Sequence, residues 1–248
     1  KNTPKKQKTN VKKTTLGNSN IPLTEEQQRE YLENVREIKR SDLFEALSES
    51  DDISIDEYLR GWLENYTTNR DSLLSEFLNF LLDCCGGLIH VEEHDIHNND
   101  SATDTIAEIQ LLFEKQKVHE FHLMISKTNK KSASYPKLYS NFVEFMSKFL
   151  DVANDLQLLY VESEEDNTEI IMGPLIVDTL TWLSALSVSK IRCFRYIATL
   201  SLYLFQDFLT EHIVDLERNY MAKLTKQLTL ERKKKRPNKQ AVTKLEDN

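Results

Sequence analysis

Glycine and proline are scarce in this sequence, five of each in 248 residues. So few turn formers leave little for the tight turns of a β-sandwich or an α/β enzyme, and they favour helices. Cysteine is scarcer still, at three. Cys84 and Cys85 are adjacent, so no disulfide framework can be drawn, and a reducing compartment fits best. Long apolar runs are missing too. The richest, Tyr196–Phe205, contains Thr199 and Ser201 and closes on Gln206 and Asp207, well short of the roughly 20 residues that cross a bilayer. No secretory leader pattern precedes it, so no membrane partner is expected. The chain begins at Lys1 rather than methionine, which reads as a piece of something longer.

Catalytic motifs are equally thin. No phosphate-cradling G-x-G and no G-x-S-x-G occurs. His90-Val91-Glu92-Glu93-His94 does spell the inverted zinc-protease pattern H-x-x-E-H. That chemistry needs both histidines one turn apart on a helix, a further ligand, and groups that fix the imidazoles. Here the pattern follows Gly86-Gly87 and precedes Asn98-Asn99, so a solvated acidic linker is the favoured reading. Cys84, Cys85 and Cys193 read as packed helix cysteines, and His119 and His122 as surface or core histidines. No catalytic residue, metal or cofactor is expected.

Charge is present and segregated. The net charge is −8, with 40% apolar and 29% charged residues. Yet three stretches, 1–13, 121–148 and 221–239, hold 19 of the 32 basic residues and only 2 of the 40 acids. An acidic body with separate basic patches differs from a uniformly acidic protein.

Periodicity supplies the architecture. Residues 1–22, rich in Lys, Thr and Asn, read as a flexible basic arm. Residues 23–53 form a helical lead-in, opened by the capping box Thr24–Gln27 and ending in a short helix near Asp42–Leu47. From 54 to 248 a helical-repeat domain is expected. Ser54 caps a helix bearing Ile55, Tyr58, Leu59, Trp62 and Leu63, and a second, largely apolar helix follows over Asp71–Cys85, ended by Gly86-Gly87. After the acidic linker near 88–102 come helices over Thr105–Lys115 and Leu138–Tyr160, the latter preceded by the basic loop Ser126–Pro136. An acidic loop (162–167) leads to a helix opened by Gly173-Pro174. The last and longest begins at Ser187–Ser189 and meets no proline until Pro237, a rod of roughly 70 Å whose polar second half projects from the body. No convincing strand is found. The fold class is all-α, a HEAT-like helical-repeat solenoid with one very long projecting helix. On periodicity alone an irregular helical bundle remains the alternative.

The basic patches carry the functional reading. Lysine runs also serve as solvated faces or nuclear localisation signals, and Lys233-Lys234-Lys235-Arg236 suits that role. Clustered cations on a helix (Lys223, Lys226, Arg232, Lys233, Lys234, Lys235, Arg236) beside a basic loop (Lys127, Lys130, Lys131, Lys137) also suit phosphate contacts, which give affinity without reading sequence. The aromatics sit on helix core stripes rather than among the lysines, so duplex backbone rather than single-strand stacking is indicated.

Ordered blocks add a resemblance. "WLENYTTNRDSLLSEFLNFLLDCCG" (62–86), "YSNFVEFMSKFL" (139–150), "LTWLSALSVSKIRCFRYIATLSLYL" (180–204) and "LERNYMAKLTKQLTLERKKKR" (216–236) resemble the N-terminal part of the cohesin regulatory subunit, the stromal antigen or sister-chromatid cohesion family. The Asn/Lys/Ser-rich linkers suggest a fungal lineage. The resemblance, over roughly 55–236, implies a hook-shaped, non-catalytic HEAT-repeat scaffold in the nucleus, associated with chromosomes. It implies double-stranded DNA as a ligand. It also implies the kleisin subunit as partner, chiefly through later repeats outside this chain, and other accessory or loader subunits. By the same resemblance, Lys190, Arg192 and Arg195 match a "VRAFR"-like basic block, and Lys223 and Lys226 fall after "ERN". Lys137 stands alone where some relatives carry several basic residues, with Lys130 and Lys131 as substitutes. A structural pairing of Arg192 or Arg195 with a neighbouring acid is the alternative for those two. A protein-interaction scaffold whose lysines serve only import or acidic partners is the alternative for the whole.

Overall fold

The structure is a computed structural model that describes residues 39–49, 54–116, 120–163, 170–234 and 238–246. The basic arm and the Thr24–Gln27 capping box fall outside the described residues. Helix α1 spans Asp42–Glu49 and α2 spans Ile55–Glu64. The Ser54 hydroxyl accepts the Glu57 amide at 3.4 Å, the cap expected from sequence. Helix α3, Arg70–Cys84, ends where Gly86 takes φ +76° and the Gly87 N–H returns to the Leu82 carbonyl at 2.9 Å. Glycine is required twice over at 86, because a Cβ there would also collide with the Glu120 carbonyl.

The acidic stretch after it is a packed connection. It holds the one-turn helix α4 (Glu93–Ile96) and a 3-10 turn (Asn99–Ser101). The Asn79 amide accepts from the Val91 N–H at 2.7 Å and donates to the Val91 carbonyl at 2.9 Å. Val91 and Ile96 are buried. Helices α5 (Ala102–Lys115), α6 (His122–Thr128) and α7 (Leu138–Asp155) follow. Helix α7 stops short of the expected Tyr160: Gln157 turns left-handed at φ 58°, and the Leu158 N–H bonds back to Ala153.

Two strands then appear that periodicity had not indicated. Strand β1 (Tyr160–Glu162) pairs antiparallel with β2 (Ile170–Met172), Val161 opposite Ile171. Each strand is only three residues, too short for an alternation to register. Pro174 opens α8 (Pro174–Ser187) in its first turn, as expected. Helix α9 (Arg192–Asp215) passes through a π-helical segment (Leu216–Met221) into α10 (Ala222–Arg232), so helical bonding runs continuously from Arg192 to Arg232. Helix α11 (Lys239–Glu246) closes the described chain and packs on α10.

The chain divides into two compact units, residues up to Leu202 and Tyr203–Asn248. In the first, helix pairs stack in HEAT-like fashion: α2 on α7, α1 on α3, α6 on α7 and α5 on α8. Its core is aromatic. Trp62 meets Phe77, Phe145 and Phe149, Phe80 meets Phe142 and Phe145, and Phe113 meets Phe194 with centroids 4.8 Å apart. No helix among the described residues is long and apolar enough to cross a membrane.

Two buried aspartates tie this unit together. The Asp178 carboxylate on α8 accepts from the Tyr66 hydroxyl, from Arg70 Nε at 2.6 Å and Nη2 at 2.9 Å, and from the Asn99 side-chain amide at 2.5 Å. Burial alone would push its pKa up; hydrogen bonds from Arg70, Tyr66 and Asn99 reverse this and hold it below the ordinary carboxylate value. Asp83, fully buried on α3, accepts from Arg40 Nη1 at 2.9 Å and from the Ser41 amide and hydroxyl, and lies 3.1 Å from His90 Nε2. Its pKa is likewise depressed, against burial, by His90, Ser41 and Arg40. Nearby His122 is buried edge-on against Tyr135, and its Nε2 has no hydrogen-bond partner among the described residues. Burial, and then the Arg40 charge, lower its pKa to about 4.

Replacing Asp178 with Ala strands a half-buried guanidinium and a phenol, so stability should fall by about 3 kcal/mol. Urea unfolding followed by circular dichroism measures this; an unchanged midpoint would show the hub to be dispensable. A pH effect follows from His122. Between pH 6.5 and about 4 the unfolded chain takes up a proton that the folded chain does not, so stability falls as pH drops through that window. The aspartates act lower, their contribution present above the unfolded value of 3.8 and lost as pH falls through their depressed folded pKa. His122→Gln should flatten the upper window alone in pH-resolved urea titrations. An equal slope in wild type and variant would contradict the assignment.

Candidate nucleic-acid interface

The first unit seats one basic residue, Lys127, against two tyrosines. Lys127, in the last turn of α6, donates to the Tyr196 hydroxyl at 3.0 Å. Its ammonium also lies 4.8 Å from the Tyr139 ring centroid and 5.7 Å from that of Tyr196. The Tyr196 hydrogen bond, then Tyr139, raise its pKa to about 12, so it is charged at any physiological pH. Phe121 packs edge-on against Tyr196 at 5.6 Å and fixes that ring. Lys127 is thus a held cation rather than a freely waving one.

The other basic candidates of this unit lie near these tyrosines in the chain. Arg192 stands one turn before Tyr196 on α9, hence on its side of the helix, and Arg195 is its immediate neighbour in the chain. Both are exposed, as is Lys190 just before. Arg195 Nη1 donates to the Ser189 and Lys190 carbonyls at 2.8 Å each, and the Lys190 amide donates to Gln110 at 2.9 Å. The turn that presents Lys190 is therefore pinned at both ends. Lys137 immediately precedes α7, two residues from Tyr139, and Lys130 and Lys131 are exposed in the turn after α6. Among the described residues, no carboxylate lies within ion-pair distance of Lys130, Lys131, Lys190, Arg192 or Arg195. The alternative of an acid paired with Arg192 or Arg195 is not met among the described residues, and Arg195 engages backbone carbonyls instead.

The second unit carries the remaining candidates. Lys223, Lys226, Arg232 and Lys233 are exposed, and Lys234 pairs with Glu231. Lys223 borders a shallow hollow lined also by Asp215, Asn219, Tyr220, Leu224 and Gln227. Lys235 and Arg236 lie outside the described residues. Tyr139 and Tyr196 are what sequence reasoning passed over. Neither is a candidate by charge or motif, and only their phenolic oxygens on otherwise apolar helices mark them in the sequence.

The H-x-x-E-H pattern does not form a metal-binding face. His90 lies outside any helix or strand with its Nε2 on Asp83, while exposed His94 on α4 sits 3.4 Å from Glu92 and 3.2 Å from Asp95. Among the described residues no group of three ligating side chains converges.

Comparison with known proteins places the chain. Residues 125–248 match the STAG domain family. The cohesin subunit SCC3 of Saccharomyces cerevisiae is 60% identical over 221 residues, which is 88% of this chain and 19% of that protein. The cohesin subunit psc3 of Schizosaccharomyces pombe is 27% identical over 187 residues, 75% of this chain and 18% of that protein. The solved structure of cohesin subunit Scc3 from Z. rouxii superposes with a TM-score of 0.78 at 57% identity, covering 90% of this chain and 24% of that one. The chain thus spans about a fifth of the length of the curated relatives it matches. With half its length in the family's domain and its helix stack shared with a solved member, the chain belongs to the STAG, or stromal antigen, family.

Proposed function

We propose that this chain is a non-catalytic helical-repeat scaffold of a cohesin complex that holds duplex DNA by its phosphates, without reading sequence. The observation that carries it is Lys127 held between Tyr139 and Tyr196, with exposed Lys190, Arg192 and Arg195 at the start of the helix that bears Tyr196. Lys127 and Arg195 are held by internal contacts, so they lose little side-chain freedom on binding, and among the described residues Lys130, Lys131, Lys190, Arg192 and Arg195 have no carboxylate within ion-pair distance to compete with a phosphate. Lys130, Lys131 and Lys137 extend the patch, while Lys223, Lys226, Arg232, Lys233, Lys234, Lys235 and Arg236 supply a second basic segment. Relatives bearing the name cohesin subunit support nuclear, chromosome-associated work in loading and sister-chromatid cohesion. Kleisin and other accessory or loader subunits are the protein partners this reading implies.

A protein-docking role is favoured by a different observation. The hairpin exposes Tyr160, Ile170, Ile171 and Met172, an apolar surface that DNA phosphates do not need.

About five phosphate contacts give a slope of log K on log salt near −4.5 for duplex DNA. Triple reversal, Lys190→Glu, Arg192→Glu and Arg195→Glu, should weaken binding more than tenfold and flatten that slope by about 3. Fluorescence anisotropy with two unrelated duplexes measures both. Absence of a complex at low salt would favour the docking scaffold, and unchanged affinity in the triple variant would move the DNA site elsewhere.

A further inference from the structure

Among the described residues, three hydroxyls have a lysine or arginine three positions earlier: Ser134 after Lys131, Ser140 after Lys137, and Thr229 after Lys226. That spacing suits the acidic substrate grooves of basophilic Ser/Thr kinases, which read cations on the N-terminal side of the acceptor. The structure separates the three. Ser140 lies in the first turn of α7 with its hydroxyl donated to the Lys137 carbonyl at 2.8 Å. Thr229 lies inside α10 and donates to the Thr225 carbonyl at 2.8 Å. An acceptor must reach the γ-phosphate inside a cleft on extended backbone, which a helical hydroxyl already bonded to its own backbone does not do.

Ser134 differs on each count. It is exposed, belongs to no helix or strand, and its hydroxyl makes no hydrogen bond among the described residues. The irregular segment 129–137 that carries it is the connection between α6 and α7. Its far end is anchored by Tyr135, which packs edge-on against Phe44 at 5.0 Å and His122 at 5.1 Å. Lys130 and Lys131 lie four and three residues before Ser134 and Lys137 three after, so basic residues flank the hydroxyl on both sides in the chain. Ser132 is exposed as well, but its −3 position is Asn129.

We propose that Ser134 is a phosphoacceptor for a basophilic Ser/Thr kinase, and that phosphate there loosens the patch's hold on duplex DNA. The second half rests on the DNA-binding reading above. In the transfer, Ser134 Oγ attacks the γ-phosphorus of Mg-ATP. The Oγ–P bond forms, the bond from that phosphorus to the bridging oxygen breaks, ADP leaves, and the hydroxyl proton passes to the kinase's base. The product carries about −1.5 to −2 charge and three acceptor oxygens among Lys130, Lys131 and Lys137, occupying cations that would otherwise meet DNA.

The test treats the whole chain with the catalytic subunit of a basophilic kinase and Mg-ATP, then locates phosphate by peptide mass spectrometry. Duplex affinity is measured across salt concentrations before and after. One phosphate should appear on Ser134, vanish in Ser134→Ala and persist in Ser132→Ala. Affinity at low salt should drop about tenfold, and the salt slope should flatten by 1 to 2, about one or two lost contacts. No phosphate in the loop, or phosphate on Ser132 alone, overturns the acceptor assignment. Phosphate on Ser134 with affinity and slope unchanged overturns its control of binding. If the unmodified chain does not bind duplex at low salt, the DNA reading fails along with that control, while the mass spectra still decide the acceptor.

Discussion

The Asp178 carboxylate is the constraint on which the first unit depends. One side chain on α8 receives the phenol at the end of α2, the guanidinium at the start of α3 and the amide of Asn99 in the connection. Asn99 in turn accepts from Trp182 Nε1 at 3.2 Å, which fixes the largest side chain of the core. A buried carboxylate is costly unless its lone pairs are filled, so the geometry of all these elements is specified together. Hydrophobic stacking of helix pairs tolerates sliding; a saturated carboxylate does not. We regard this as the device that sets the register of α8, and through the Ser187–Ile191 turn the placement of Arg192 and Arg195.

Asp83 performs the corresponding task at the other end of α3. It draws in Arg40 and Ser41 before α1 and His90 after the Gly86-Gly87 turn. Arg40 pays part of the cost, since its Nε and Nη2 are buried with no hydrogen-bond partner among the described residues, offset by the Phe44 face 5.6 Å away. Next to this polar knot, His122 stays neutral and Tyr135 anchors the basic loop. The rigid interior and the charged rim are therefore connected through α6, which buries His122 at its first residue and presents Lys127 near its last.

Features encoded over a few residues were legible in the sequence. The Ser54 cap, the Gly86-Gly87 stop, Pro174 at a helix start and the apolar stripes of α2, α3 and α7 each depend on neighbours within one or two turns. The helix-pair architecture followed from them, and the family blocks added its identity. Long-range partnerships were not legible. Tyr66 and Asp178 lie 112 residues apart, and Lys127 and Tyr196 lie 69 apart. Nothing local marks a tyrosine as the seat for a distant lysine. The hairpin was missed for another reason: three-residue strands beside an acid-rich loop leave no period to detect. Charge clustering marked the basic candidates of the loop and the last helix, and the family blocks marked Lys190, Arg192 and Arg195; neither says which of them share a surface.

Lysine footprinting tests the central claim directly, that Lys127, held by Tyr139 and Tyr196, and the other basic candidates of the first unit meet DNA together. Surface amines are acylated with and without a saturating duplex, and each site is quantified by mass spectrometry. The account predicts concerted protection of Lys127, Lys130, Lys131, Lys137 and Lys190, with Lys39 and Lys148 unaffected. Protection confined to lysines outside that group, or spread evenly over the surface, would contradict it.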